Sequence, residues 1–465
     1  MTPLSIAALD PMRISLMFVL AAGLRWAVDM ILPPTSLLAR RSFWSLGALA
    51  LAALLTPFVP FDLGAAGGVD TPLAGVAVLL VVGATVAALL LATVEGSLGD
   101  EAERPDAEVL MLLASAGMTA LAGAADLWTA FIAFELMSLP FYALASFRRG
   151  ISGVEAGFRL LLPGAVATLL FVLGAGTAPG TIGVLPGDAV AWLGFTAILA
   201  AVLFKAALLP FGFWVGDVYR GVPIGVLGFL ASAPKFAALV FIARLVEPAI
   251  GRAGVTDALA AAAEVSMLVG TAVALHRRTL RGILAWSGVA HMGFALLILL
   301  GPRQYWDGTI LLYGASYILA VIASMAAVAG FERRIGASDL DALTGFGRSG
   351  LWLPIAFIVA LFSLAGIPFL PGFWGKFFAM LSATRAENWL ALAVALGATV
   401  VGLYVYLRIV GKLVLSDAKA DGSTGAESSA WQRATFVGVV AAVLSLLVGI
   451  APAQLLAYFG YELLK

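Results

Sequence analysis

Residues 203–248 read LFKAALLPFGFWVGDVYRGVPIGVLGFLASAPKFAALVFIARLVEP. Two long apolar runs each carry one lysine, Lys205 and Lys235, on either side of a segment broken by glycine and proline. An ionisable side chain at bilayer depth costs roughly 2.5–3.5 kcal/mol on insertion scales, so such residues face a polar cavity, a partner or an ion path. Pro210, in Pro210-Phe211-Gly212-Phe213-Trp214, removes a helical N–H and frees a carbonyl. At membrane depth that is tolerated only where protein or water satisfies the freed group. A lysine buried just before a helix break is what a membrane ion path requires.

Composition agrees with this stretch. Of 465 residues, 62% are hydrophobic and 12% are charged, about half the charge of an ordinary soluble domain. The chain reads as an all-α polytopic membrane protein. Lysine plus arginine balance aspartate plus glutamate at 27 each, so no basic surface invites nucleic acid. Cysteine is absent, which excludes disulfides, thiol catalysis and cysteine-ligated iron–sulfur clusters. His276 and His291 are too few and too far apart in sequence for a zinc site. No phosphate-binding glycine loop stands between a strand and a helix. Arg25 and Asp29 interrupt the first apolar run, which therefore does not read as a cleaved signal peptide.

At about 20 apolar residues per crossing, about 14 spans are predicted. They lie near 12–32, 43–61, 71–94, 107–123, 126–147, 154–176, 189–215, 222–246, 256–275, 281–301, 306–331, 350–384, 387–413 and 433–461. In the first, Arg25 and Asp29 are spaced to pair along one face, or Arg25 snorkels to the interface. Two longer polar connections run from Glu95 to Glu108 and from Ser416 to Ala430. Loops after odd-numbered spans carry Arg40-Arg41, Arg148-Arg149, Arg220, Arg277-Arg278, Arg281, Arg333-Arg334, Lys412, Lys419 and Arg433. The positive-inside rule makes these cytoplasmic and puts both termini on the opposite side.

Two glycine- and proline-interrupted segments, FKAALLPFGFW (204–214) and IPFLPGFWGKF (367–377), fall five spans apart. Lys205 precedes its break and Lys376 follows its own, the mirrored order of an inverted repeat. Broken helices at matching positions of two repeats are the best sequence pointer to a transport site. Glu135 lies mid-span in LWTAFIAFELMSLPFYALASF. It is expected to carry protons beside a lysine, because burial and a neighbouring charge bring a carboxyl or an amine into titration range. Lys235, after Pro234, and His291, in LAWSGVAHMGFALLIL, complete the candidate set. Glu155, Arg159, Arg244, Glu264 and Arg408 are expected to be structural, His276 to sit at a loop edge, and Tyr313 and Tyr317, one turn apart, to pack or to line a hydrated path.

FELMSLPFYAL, FKAALLPFGFWVGDVYRGVP, the Ala-Pro-Lys of span eight, LAWSGVAHMGF and LAGIPFLPGFWGKF together resemble the antiporter-like membrane subunits of type I NADH:quinone oxidoreductase (respiratory complex I). Subunit N is the nearest in pattern. The resemblance covers spans four to thirteen. It implies two inverted five-helix repeats with broken helices at spans 7 and 12. The divisions are residues 1–106 (spans one to three), 107–248, 249–415, and 416–465 (a loop and the last span). It also implies a midplane chain in which Glu135 and Lys205 are coupled, Lys235 is the central relay, Lys376 the exit lysine and His291 an additional relay. No redox centre belongs to this chain. Flavin, iron–sulfur clusters and quinone are expected in partners, and the antiporter-like subunits M and L with the small subunits K, J, A and H as neighbours. The location implied is a bacterial inner membrane, and the activity proton translocation driven by quinone reduction elsewhere in the complex. A cation/proton antiporter subunit, or the membrane subunit of a hydrogenase-type pump, is the alternative. The chain departs from the family pattern at Gly212 (usually His), Gly216 (Pro), Arg220 (an acid), Trp286 (Tyr), Gly288 (Ser) and Arg281-Gly282 (Lys-Arg).

Overall fold

The computed structural model describes residues 10–31, 43–55, 72–92, 94, 104–148, 150–178, 180–336, 339–344, 351–415 and 429–458. Eleven helices among them are long and apolar enough to cross a membrane, with Ala189–Lys205 and Trp352–Ala365 as shorter apolar helices. In chain order the helices are α1 (Pro11–Ile31), α2 (Phe43–Leu55), α3 (Pro72–Ala92), α4 (Arg104–Gly123), α5 (Leu127–Ala145) and α6 (Ile151–Thr177). Next come α7 (Ala189–Lys205), α8 (Val215–Gly221), α9 (Ile224–Leu230), α10 (Ala233–Val246), α11 (Ala253–His276) and α12 (Leu280–Leu297). The last are α13 (Trp306–Ile335), α14 (Trp352–Ala365), α15 (Pro371–Arg385), α16 (Trp389–Val410), α17 (Ser429–Ile450) and α18 (Pro452–Tyr458). Each predicted span is mainly helical over its described residues. Spans seven (α7, α8) and twelve (α14, α15) are broken as expected, and span eight is interrupted as well, between α9 and α10.

The breaks are built alike. After Lys205, Ala207 takes a left-handed conformation (φ 59°), the Leu208 N–H reaches back to the Leu203 carbonyl and the Ala207 N–H to Phe204. After α14, Gly366 (φ 85°) occupies the same place, Ile367 bonding Phe362 and Gly366 bonding Ser363. Both are Schellman terminations, which satisfy the last carbonyls of a helix inside the chain itself. The Leu209 N–H, stranded beside Pro210, bonds the Ser266 hydroxyl of α11 at 2.9 Å. This is the re-satisfaction that membrane depth demands.

Four further features occur twice. Arg244 of α10 donates to the carbonyls of Ala122 and Ala124 at the end of α4, and Arg408 of α16 to those of Leu275 and Arg277 at the end of α11. An isolated bridge joins Asp126 to Thr181, and another joins Thr279 to Asp339. Asp126 caps α5, and Thr279 caps α12. A Cβ on Gly117 would lie 2.2 Å from the Met137 nitrogen, and one on Gly270 would lie 2.7 Å from that of Ala290. In both places helices approach to backbone contact, the packing that small residues permit in a membrane. One constant sequence offset relates Gly117 to Gly270, Asp126 to Thr279 and Met137 to Ala290.

Of the two expectations for Arg25, snorkelling is corrected. Its side chain is fully buried and pairs with Glu108 at 3.1 Å, and Ser45 donates to the same carboxylate oxygen. Arg25 does not snorkel, and the side chain of Asp29 lies outside the described residues. Glu108 is a buried residue of α4 rather than the end of a soluble loop. The rest of that acidic loop up to residue 103, Arg40-Arg41 and residues 416–428 also lie outside the described residues. The molecule is densest at its centre: the span from Ile224 to Ala249 is wholly buried, and α12 and α13 nearly so.

Candidate functional site

Lys205 closes α7, the negative end of a helix dipole and a favourable place for an ammonium. Its amine donates to the Tyr142 hydroxyl at 3.2 Å and stands 4.8 Å from the Tyr142 ring centroid and 5.2 Å from that of Phe134. Aromatic faces stabilise a desolvated cation. Glu135 is half-buried between α5 and α6, where the Thr168 hydroxyl donates to it at 2.7 Å. It makes no direct ion pair with Lys205, although both Lys205 and Tyr142 lie in its field. The Tyr142 phenol is the group that bonds Lys205. Gly164 makes room for it, since a Cβ there would lie 2.1 Å from the Tyr142 hydroxyl.

Lys235 enters the core one residue after Pro234, in the first turn of α10, and is 1% exposed. Its amine makes a long, 3.5 Å contact with the Tyr317 hydroxyl and lies 5.9 Å from the Tyr219 ring centroid. A Cβ on Gly288 would meet both the Lys235 amine and the Tyr317 hydroxyl at 2.8 Å. The bare backbone at Gly288 gives the ammonium its place.

His291 of α12 sits between Lys235 and Lys376, close enough to feel both charges. Its Nδ1 is 2.9 Å from the Tyr313 hydroxyl and its Nε2 is 3.2 Å from that of Tyr406. The Tyr313 O–H donates to the His291 carbonyl at 3.0 Å. With its one hydrogen so used, Tyr313 accepts from Nδ1–H, and in the neutral ring Nε2 is left to accept from Tyr406. Lys376 of α15 reaches back across the span-twelve break, donating to the Ala365 carbonyl at 3.2 Å and lying 4.9 Å from the Phe294 centroid. Both broken spans thus hold an ammonium at the end of the first half-helix, although the two lysines come from opposite sides of the break.

The structure therefore joins Lys235, His291 and Lys376 in one buried cluster and sets Glu135, Tyr142 and Lys205 in another. Tyr313 and Tyr317, expected to pack, bond to the ionisable groups, and Tyr142 and Tyr406 were not singled out. An interior tyrosine at membrane depth was the available signal, because its hydroxyl requires a partner there. Arg244 and Arg408 cap helices, Arg159 pairs with Glu155 and Asp217, and His276 is exposed at the end of α11. The departures have local reasons. Arg281 forks onto Glu332 and bonds the Val222 carbonyl, tying α12 to the α8–α9 turn. A Cβ on Gly216 would lie 2.6 Å from the Trp286 indole nitrogen, so the larger ring at 286 and the smallest residue at 216 go together. Among the described residues no three His, Cys, Asp or Glu are grouped to hold a metal ion.

Residues 124–402 match the family described as NADH:quinone oxidoreductase/Mrp antiporter, TM. The chain belongs to that family. NADH-quinone oxidoreductase subunit 14 of Thermus thermophilus is 36% identical over 354 residues, 75% of this chain and 78% of that one. A chain of the solved respiratory complex I of Thermus thermophilus superposes with a TM-score of 0.78 at 30% identity, covering 94% of this chain and 97% of that one. A chain of the archaeal membrane-bound sulfane sulfur reductase reaches 0.82 at 18% identity, over 98% and 96%, a likeness of fold alone. This member of the NADH:quinone oxidoreductase/Mrp family is a multi-pass membrane protein, and the similar Thermus thermophilus chain is part of the larger respiratory complex I.

Proposed function

We propose that Glu135, Lys205, Lys235, His291 and Lys376 are the proton-carrying groups of this chain, which is a proton-translocating membrane-arm subunit of an NADH:quinone oxidoreductase. The observation that carries the reading is the buried cluster of Lys235, Tyr317, His291, Tyr406 and Lys376, since hydroxyls and an imidazole between amines can pass a proton by breaking one bond as the next forms. Residues 107–248 and 249–415 are the two inverted repeats, supported by the doubled arginine caps, bridges and helix breaks. Lys235 comes from the first and reaches into the second at Gly288, so the repeats share one path. Quinone reduction elsewhere in the assembly drives it, with flavin, iron–sulfur clusters and quinone held by partners. The neighbours are subunits M and L and the small subunits K, J, A and H. Both termini face the periplasm of a bacterial inner membrane.

The test is mild-detergent purification of the tagged protein from its own membranes, followed by mass spectrometry. Flavin- and iron–sulfur-binding NADH dehydrogenase subunits are expected with it. Recovery alone, or with small antiporter-type subunits only, would replace this reading with a free-standing cation/proton antiporter. Hydrogenase subunits would keep the pump and change its electron donor.

A further inference from the structure

We infer that the apolar groove between α3, α13 and α17 is a phospholipid site. An acyl chain of an anionic phospholipid lies in it, with the headgroup at the arginines where α13 ends and α17 begins. The inference stands apart from the relay, since α3 and α17 lie outside both repeats.

The groove encloses about 410 Å³, and every residue lining it is apolar, among them Leu79, Val86 and Leu90 of α3, Ile318 of α13, and Phe436 and Val440 of α17. Water finds no partners between such walls, and a dry apolar cavity takes up apolar guests. Left empty, its lining would forfeit dispersion contacts. A Cβ on Gly83, in the α3 wall, meets nothing within 4 Å, and Phe436 is 62% exposed. The groove therefore opens sideways at the surface of the chain. The stretch of α17 along it, Phe436 to Leu444, is about 12 Å long at roughly 1.5 Å per residue. A helix of that length and about 10 Å diameter fills roughly 900 Å³, more than twice the space present. A single file of methylenes fits where a helix does not.

The charge at one end selects the headgroup. A Cβ on Gly330 would lie 3.4 Å from the Trp431 ring, and one on Gly438 would lie 3.8 Å from the Ala326 methyl. The start of α17 thus meets the end of α13. There Arg334 stands over the Trp431 ring at 4.9 Å, and Arg433 is exposed one turn from Phe436. Glu332, two residues before Arg334, is taken up by Arg281 of α12. Guanidinium groups bind phosphate through two N–H donors, and basic residues at the membrane surface attract anionic lipid.

The experiment replaces Phe436 with the photo-cross-linker p-benzoylphenylalanine in the full chain, purified with whatever complex holds it. The probes are vesicles of phosphatidylglycerol or of phosphatidylcholine, and mass spectrometry reads what illumination adds to the chain. A phosphatidylglycerol adduct is expected, with little from the same cross-linker at Leu447, which is 60% exposed on the same helix. Arg433→Gln should lower the yield about fivefold, the worth of one arginine near a lipid surface. Gly83→Phe fills the groove from α3 and should abolish the adduct. If that variant does not assemble, Val440→Trp fills it from α17 instead. An adduct that survives the filled groove, or one as strong at Leu447, would mean bulk lipid and overturn the site. Cross-linking to another protein chain would overturn it in favour of a partner subunit. Equal yields from the two lipids would overturn the anionic headgroup.

Discussion

The two halves of the molecule, α4–α10 and α11–α16, share a skeleton and differ in what they place on it. Each has an arginine capping its first helix, a bridge between its loops, a glycine at a close helix crossing and a Schellman break. Under the offset that aligns them, Glu135 of the first half corresponds to Gly288 of the second, and Ser138 to His291. The first half keeps a half-buried carboxylate beside one buried phenol and one buried lysine. The second half gives up the carboxylate, and the space admits Lys235 from the other repeat. Its imidazole then lies among tyrosines. The shared features are backbone chemistry, needed wherever a helix ends inside a membrane. The lysine at each helix break is shared as well, whereas His291 and the room for Lys235 at Gly288 are not, so the proposed central relay lies in a departure from symmetry.

If that division holds, the largest effects should come from lysines that no helix end requires. Lys235→Ala is expected to lower coupled turnover about tenfold or more with assembly intact. Loss of the complex on native gels would instead make Lys235 structural. Arg408→Ala and Arg244→Ala should do the opposite, lowering thermal stability while sparing the turnover of what assembles. Each leaves two carbonyls uncapped, at about 1–3 kcal/mol for each buried group left unmade. Melting of the purified complex reads this, and a stable but inactive Arg244→Ala would break the comparison. Glu135→Gln keeps shape and the Thr168 contact but removes the titrating charge, and a several-fold fall in turnover is expected. Unchanged activity would strip Glu135 of its role. Gly288→Ala is the mildest: its methyl must push aside the flexible Lys235 amine, and a modest slowing without loss of stability is expected in the same assay.

Most of the fold was legible in sequence because bilayer thickness fixes span length and charge is conspicuous in an apolar chain. The breaks at spans seven and twelve were legible because proline and glycine announce them. The interruption of span eight at Ala231-Ser232 was not read, although Pro234 in the first turn of α10 was a signal for a helix start there. Glu135, Lys205, Lys235, His291 and Lys376 stand out as ionisable residues in apolar runs. What joins them did not stand out: Tyr142, Tyr317 and Tyr406 look like ordinary aromatics until the fold turns their hydroxyls inward. The Arg25–Glu108 pair was not legible, because Glu108 lies beyond two further helices in sequence.

The account turns on whether Lys235 links the halves by carrying protons. The direct measurement is proton translocation by the assembled complex in proteoliposomes, wild type against Lys235→Ala, at matched protein content. Loss of proton uptake with the complex intact is the expected result. Wild-type proton uptake by the variant would contradict it.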